Sequence, residues 1–251
     1  MMRQTGKKID ASSFVTDIVT NDYRTAEVFR KYGIDYCCGG KWPLNVICES
    51  KALDPERLLD ELENATRTLH VSNSLQFADW DIDFIINYII YIHHHYLKRA
   101  LPEIAEQLSN FASGHRDKYP ELDELVILFE RLAGEMIPHM KEEEEVFFPY
   151  IQQIAHAYKD KESYASLLVR TLRKPVESLM QQEHESMGKI LRRMRGLTFD
   201  YTPPHNACVK HVVTYSRLKE LDSDFVQHLH LENNILFPKA LAMEKDLLQK
   251  E

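Results

Sequence analysis

The chain has 251 residues, 44% of them hydrophobic, and carries 31 Lys and Arg against 39 Asp and Glu, for a formal net charge of −8. That apolar content can bury a sizeable core, and the length suits one domain of moderate size plus a smaller one. An acidic protein with no offsetting basic cluster is repelled by nucleic acid and by anionic membrane surfaces, so neither is an expected partner.

In chain order, the basic residues within 1–10 are followed by no apolar segment. No secretory signal is read there, and the cytoplasm is the expected compartment. Residues 13–31, with Phe14, Ile18, Val28 and Phe29 on one face, predict a short helix ending at Gly33, a residue suited to the position just past a helix. A loop follows over residues 34–43, IDYCCGGKWP. Asp54 and Pro55 then read as an N-cap and first helical residue of a helix reaching about residue 70, with a polar linker behind it. Four long amphipathic segments come next, at about 81–112, 121–158, 162–196 and 207–247. The most apolar stretch, residues 82–92, is interrupted by Asp83 and Asn87 and falls short of the roughly 20 residues that cross a bilayer. With only 8 glycines and no strand-like alternation, the chain is expected to be all-α: a small helical domain over 1–72, then an up-down four-helix bundle over 80–248.

The second and fourth long segments contain one string twice. HMKEEEEVFFP from His139 and HLHLENNILFP from His228 both read H-x-x-x-E-x-x-x-x-F-P, 89 positions apart. The first and third segments carry matching histidines, His94 and His184, 90 positions apart. The bundle therefore reads as a duplicated helical hairpin. Residues four apart share a helix face, so His139 with Glu143, and His228 with Glu232, can each grip one ion. The 89-residue spacing alone favours His95 over His94. Helical phase favours His94, which lies on the stripe Ile90, Leu97, Leu101, Ile104 and Leu108, whereas His95 keeps company with Tyr91, Lys98 and Arg99; His93 is the second choice.

A lone histidine on an apolar face is usually a packed, hydrogen-bonded one. A repeated set of four imidazoles and two carboxylates is harder to bury without a metal. If both carboxylates bridge, each of two ions receives two nitrogens and two oxygens and keeps a position open. Such ligation without thiolate suits iron or manganese. Glu135 and Asp224 sit four residues before His139 and His228 and are candidate acceptors for imidazole N–H groups, while Glu183 could line an access path. The rest of the acidic run 142–145 reads as a solvated face. His70, His95, His156, His205, His211 and His230 read as surface or capping residues, and His115 as part of a loop. The four cysteines, Cys37, Cys38, Cys48 and Cys208, form no disulfide framework, which fits a reducing compartment. Cys37 and Cys38 are either incidental to a turn or a reactive thiol pair.

YGIDYCCGG at 32–40 followed by H…HxxxE…H…HxxxE resembles the Repair of Iron Centers di-iron family, over nearly the whole chain. The resemblance implies a Cys-Cys-Gly-Gly domain joined to a haemerythrin-like bundle. It also implies a cytoplasmic stress protein that restores iron-sulfur clusters damaged by nitric oxide or peroxide, with damaged iron-sulfur proteins as clients. The implied cofactor is two Fe ions, oxo- or hydroxo-bridged, on His94, His139, Glu143, His184, His228 and Glu232. The family's extra bundle histidine falls on His115, its channel acids on Glu135 and Glu183, and its N-terminal thiols on Cys37 and Cys38. Reduction of NO or peroxide at the di-iron centre, with Glu135 or Glu183 as proton donor, is the alternative, and O2 binding of the haemerythrin kind a third. Association of two chains as a homodimer stays open.

Overall fold

The computed structural model describes residues 9–36, 41–66, 76–172 and 176–249. Cys37, Cys38 and His70 lie outside the described residues. Among these there is no β-strand, only an isolated bridge between Phe14 and Pro43. The chain divides into two compact units: Met1–Asn73 with Tyr201–Leu218, and Ser74–Asp200 with Lys219–Glu251.

In the first unit the predicted helix over 13–31 is two helices, α1 (Val15–Asn21) and α2 (Thr25–Lys31). Asp22 divides them: its backbone is extended, its carboxylate accepts from the Arg24 N–H at 3.1 Å, and its carbonyl accepts from the Thr25 hydroxyl at 2.6 Å. A short polar side chain that offers the backbone such local partners competes with helix continuation. Gly33 does end α2, at φ 60°, with the Ile34 N–H closing onto the Phe29 carbonyl at 2.8 Å. A side chain at that left-handed position would be strained. Helix α3 (Leu44–Ser50) was not anticipated, since seven residues without a capping side chain leave little periodicity to read. Helix α4 (Pro55–Thr66) starts as expected, Asp54 accepting from the Glu56 N–H at 3.0 Å. These helices close on Val15, Phe29, Leu44, Leu58 and Leu62, with Val213 of the returning chain in the same core.

The second unit holds α5 (Ile82–Tyr88), α6 (His95–His115), α7 (Glu121–Glu142), α8 (Phe148–Lys159), α9 (Ala165–Leu172), α10 (Val176–Thr198), the later turns of α11 (Val209–Leu231), and α12 (Phe237–Gln249). Helix α7 packs on α6 and α10, and α12 packs on α8 and α9. The segment predicted over 162–196 is thus two helices. An apolar cluster that includes Ile85, Ile89, Phe147, Phe148, Ile151, Leu231 and Leu236 fills one end of the bundle. His115 ends α6 rather than lying in a loop, its Nδ1–H donating to the Phe111 carbonyl at 3.0 Å. His211, read as a surface residue, is buried edge-on against Tyr215.

Three pairs of these helices are joined by π-helical turns: Ile89–His94 between α5 and α6, Glu143–Phe147 between α7 and α8, and Glu232–Leu236 between α11 and α12. Each shows the wider bond of a π-turn, from the N–H of His95, Phe148 and Phe237 to the carbonyls of Ile90, Glu143 and Glu232. The F-P end of the repeated string now has a physical role. Pro149 and Pro238 have no N–H for an α-type bond to the carbonyls of residues 145 and 234, so the backbone there is free to widen before the helix resumes.

Candidate metal centre

The π-turns sit where the ligand candidates are. His94 closes the first, Glu143 opens the second and Glu232 opens the third. His139 and His228 lie in the last turns of α7 and α11, and His184 lies on α10. All six side chains are buried, and both carboxylates have no exposed surface.

They converge on two overlapping groups. One is His94, His228, Glu143 and Glu232; the other is His139, His184, Glu143 and Glu232; in each, the donor atoms lie within 4.8 Å of one another. The Nε2 atoms of His94 and His228 are 3.2 Å apart, and those of His139 and His184 are 3.1 Å apart. Each carboxylate spans both groups. Glu143 turns Oε1 to His139 Nε2 at 3.3 Å and Oε2 to His94 Nε2 at 3.4 Å. Glu232 turns Oε1 to His228 at 2.7 Å and Oε2 to His184 at 3.6 Å. His95, favoured by spacing alone, is exposed and sits edge-on to Tyr91.

Charge in this cluster is unevenly distributed. Burial opposes ionisation of Glu143, but the His139 charge and the adjacent His139 and His94 imidazoles hold its carboxyl well below the usual range. Burial, joined by the Glu143 charge, pushes Glu232 up to about 8. Burial likewise opposes the His139 charge, yet Glu143, Glu232 and Glu183 together raise it to about 10. Burial and the charges of His94 and His139 drive His228 well below the ordinary imidazole range.

The donor set fits a metal ion. Both oxygens of Glu143 and Oε2 of Glu232 are buried with no hydrogen-bond partner among the described residues. Protons alone leave those lone pairs unmet, which is costly in a dry core, and cations among four nitrogens and four oxygens would satisfy them.

The far nitrogens of the imidazoles are held from neighbouring helices. His94 Nδ1–H donates to Glu144 Oε1 at 2.8 Å, and Lys98 holds that carboxylate at 2.7 Å. His184 donates to Asn233 Oδ1 at 2.9 Å, and His139 to Glu183 Oε2 at 2.6 Å. Such contacts fix which nitrogen faces the metal. Sequence reasoning missed Glu144 and Asn233, although each directly follows a bridging carboxylate in the repeat. Glu183, which it placed on an access path, also holds the outer nitrogen of His139. Glu135 forms an exposed ion pair with Arg131 at 2.7 Å, and Asp224 accepts from His93 at 3.0 Å. A cavity of about 570 Å³ reaches His184, lined in part by Arg192, Asn233 and Phe237.

Four imidazoles and two carboxylates buried in a helical bundle define a cation-binding protein of the haemerythrin type. The Hemerythrin HHE cation binding domain matches residues 86–240. The domain described as ScdA_N, Domain of Unknown function (DUF542), matches residues 11–66. The iron-sulfur cluster repair protein ScdA of Staphylococcus haemolyticus is 30% identical over 92% of this chain and 99% of its own length. The iron-sulfur cluster repair protein YtfE is 32% identical in an Enterobacter species, over 91% of this chain and 96% of its own, and 33% identical in Escherichia coli O8, over 88% and 93%. The chain belongs to this family of haemerythrin-domain proteins with an ScdA-type N-terminal domain.

Proposed function

We propose that this protein restores iron-sulfur clusters damaged by nitrosative or oxidative stress, using two iron ions held by His94, His139, Glu143, His184, His228 and Glu232. The observation that carries this reading is the pair of overlapping His2Glu2 groups sharing two carboxylates, in a chain whose relatives are named for cluster repair. Iron held there would supply redox chemistry and bind NO, O2 or peroxide. The rest falls to the chain. Glu143 and Glu232 each offer one oxygen to either position, so loss of an ion from one leaves the other ligated. Glu144, Asn233 and Glu183 keep the imidazoles aimed inward. Cys37 and Cys38 assist transfer of iron or its redox control. Clients are damaged iron-sulfur proteins, and the setting is the cytoplasm; no described helix is long and apolar enough to cross a membrane.

The test is reconstitution of the full chain with iron, followed by addition to an NO-inactivated cluster enzyme. Two irons per chain and recovery of activity are expected; fewer than two irons, or no recovery beyond free ferrous ion, sinks the proposal. Cys37→Ala with undiminished recovery removes the thiol role. A second reading, reduction of NO or peroxide, is favoured by one feature: the Glu183 side chain is 45% exposed while bonded to buried His139, which links the cluster to solvent protons. Anaerobic single-turnover formation of N2O separates it from repair.

A further inference from the structure

The duplication gives every residue around one half of the centre a counterpart around the other. The positions of His139, Glu143 and Glu135 recur 89 residues later as His228, Glu232 and Asp224, and those of His93 and His94 recur 90 later as Glu183 and His184. Glu144 and Asn233 also correspond, and they do the same thing, taking the Nδ1 protons of His94 and His184. By that correspondence, the residue that should take the Nδ1 proton of His228, as Glu183 takes that of His139, is His93.

His93 is placed and prepared for this. Its side chain is 1% exposed, and its ring lies 17° from parallel to that of His228 with centroids 5.9 Å apart. Its Nδ1 meets Asp224 Oδ1 at 3.0 Å. A carboxylate can only accept, so Nδ1 carries the proton and Nε2 of the neutral ring is left as an acceptor. His228, with Nε2 turned to Glu232 and the metal position, carries its proton on Nδ1. His93 Nε2 and His228 Nδ1 are both buried without a partner among the described residues. One is an acceptor and the other a donor, on adjacent rings. Buried polar atoms of that kind are rarely left unmet, and the two rings are neighbours.

We propose that Asp224 and His93 form a positioning chain for His228, in which His93 Nε2 accepts the His228 Nδ1–H, the part that Glu183 plays for His139. The inference rests on the di-metal reading above and goes beyond it. Each metal position then has one imidazole held by a carboxylate, His94 by Glu144 and His139 by Glu183, and one held by another acceptor, His184 by Asn233 and His228 by His93.

The experiment uses the iron-loaded full chain and follows iron release to a chelator, with Mössbauer spectra of the 57Fe-loaded protein to count iron environments. His93→Phe keeps a buried ring but no acceptor, and speeds release of one iron per chain by about ten-fold or more, within the range for lost partners of metal-bound histidine, while release of the other stays within about two-fold. His93→Gln, which restores an acceptor, recovers much of the difference. Asp224→Ala, at a part-exposed position, repeats the His93→Phe effect and keeps the test open if the buried substitution misfolds. In zinc-loaded protein labelled with 15N-histidine, the His228 Nδ1 proton is protected from exchange in the wild type and exposed in His93→Phe. Equal acceleration of both irons, a His93→Gln variant no better than His93→Phe, or an unprotected wild-type proton overturns the proposal. Failure to hold two irons at all counts against the di-iron reading instead.

Discussion

The two halves of the metal centre match in sequence and differ in their electrostatics. His139 and His228 are copies, as are Glu143 and Glu232, yet His139 is raised to about 10 while His228 is driven well below the ordinary range. Glu143 is held low while Glu232 rises to about 8. Duplication reproduced the ligands and the π-turns that carry them, but it left the surroundings free to diverge. Glu183 brings a carboxylate to His139, whereas the matching place beside His228 holds the ring of His93. Without metal, protons settle unequally on the two halves.

Replacing a shared carboxylate breaks the comparison most completely. Glu143→Ala takes a donor from both positions, so metal analysis after reconstitution is expected to show neither ion retained. Replacing a histidine should break one half only. His94→Ala or His184→Ala is expected to leave about one ion per chain with Glu143 and Glu232 still bridging to the intact half. Loss of both ions from either variant would mean that the positions fill cooperatively.

Proton competition sharpens the comparison further. Between pH 6.5 and 8 the folded, metal-free chain keeps protons on His139 and Glu232 that the unfolded chain has already released. Rising pH therefore favours unfolding, and the melting temperature of metal-free protein should fall by several degrees across that window. Glu232→Gln removes one of the two protons and should flatten the fall. An unchanged slope would show that Glu232 does not hold its proton there. The smallest effect belongs to an ion pair outside the cluster. Arg131 and Glu135 form an exposed i,i+4 pair, so Glu135→Gln should change stability by no more than about 0.5 kcal/mol and leave metal content intact.

Much of the centre could be read from the sequence because a repeat states its own register. H-x-x-x-E places two donors on one face without reference to anything distant, and two copies select the same six residues that the fold brings together. Helical phase preferred His94, which is buried, to His95, which is exposed, since the apolar stripe through Leu97 and Leu101 reports which side faces inward. Local chemistry was legible too, at Gly33 and at Asp54, where a single residue type answers a single backbone demand. The break at Asp22 and the short helix α3 were missed because each depends on competition between weak local preferences.

By itself the sequence determined the all-α class, the internal repeat and the six candidate ligands, all of which follow from spacing along one helix at a time. Only the tertiary structure decided what holds the outer nitrogen of each imidazole. Glu144 reaches His94 across 50 residues, Glu183 reaches His139 across 44, and Asp224 reaches His93 across 131. Periodicity along one helix says which side faces inward, but not which side chain of a neighbouring helix arrives at the same height. That height is set by packing, and with it the charge that distinguishes one half of the centre from the other.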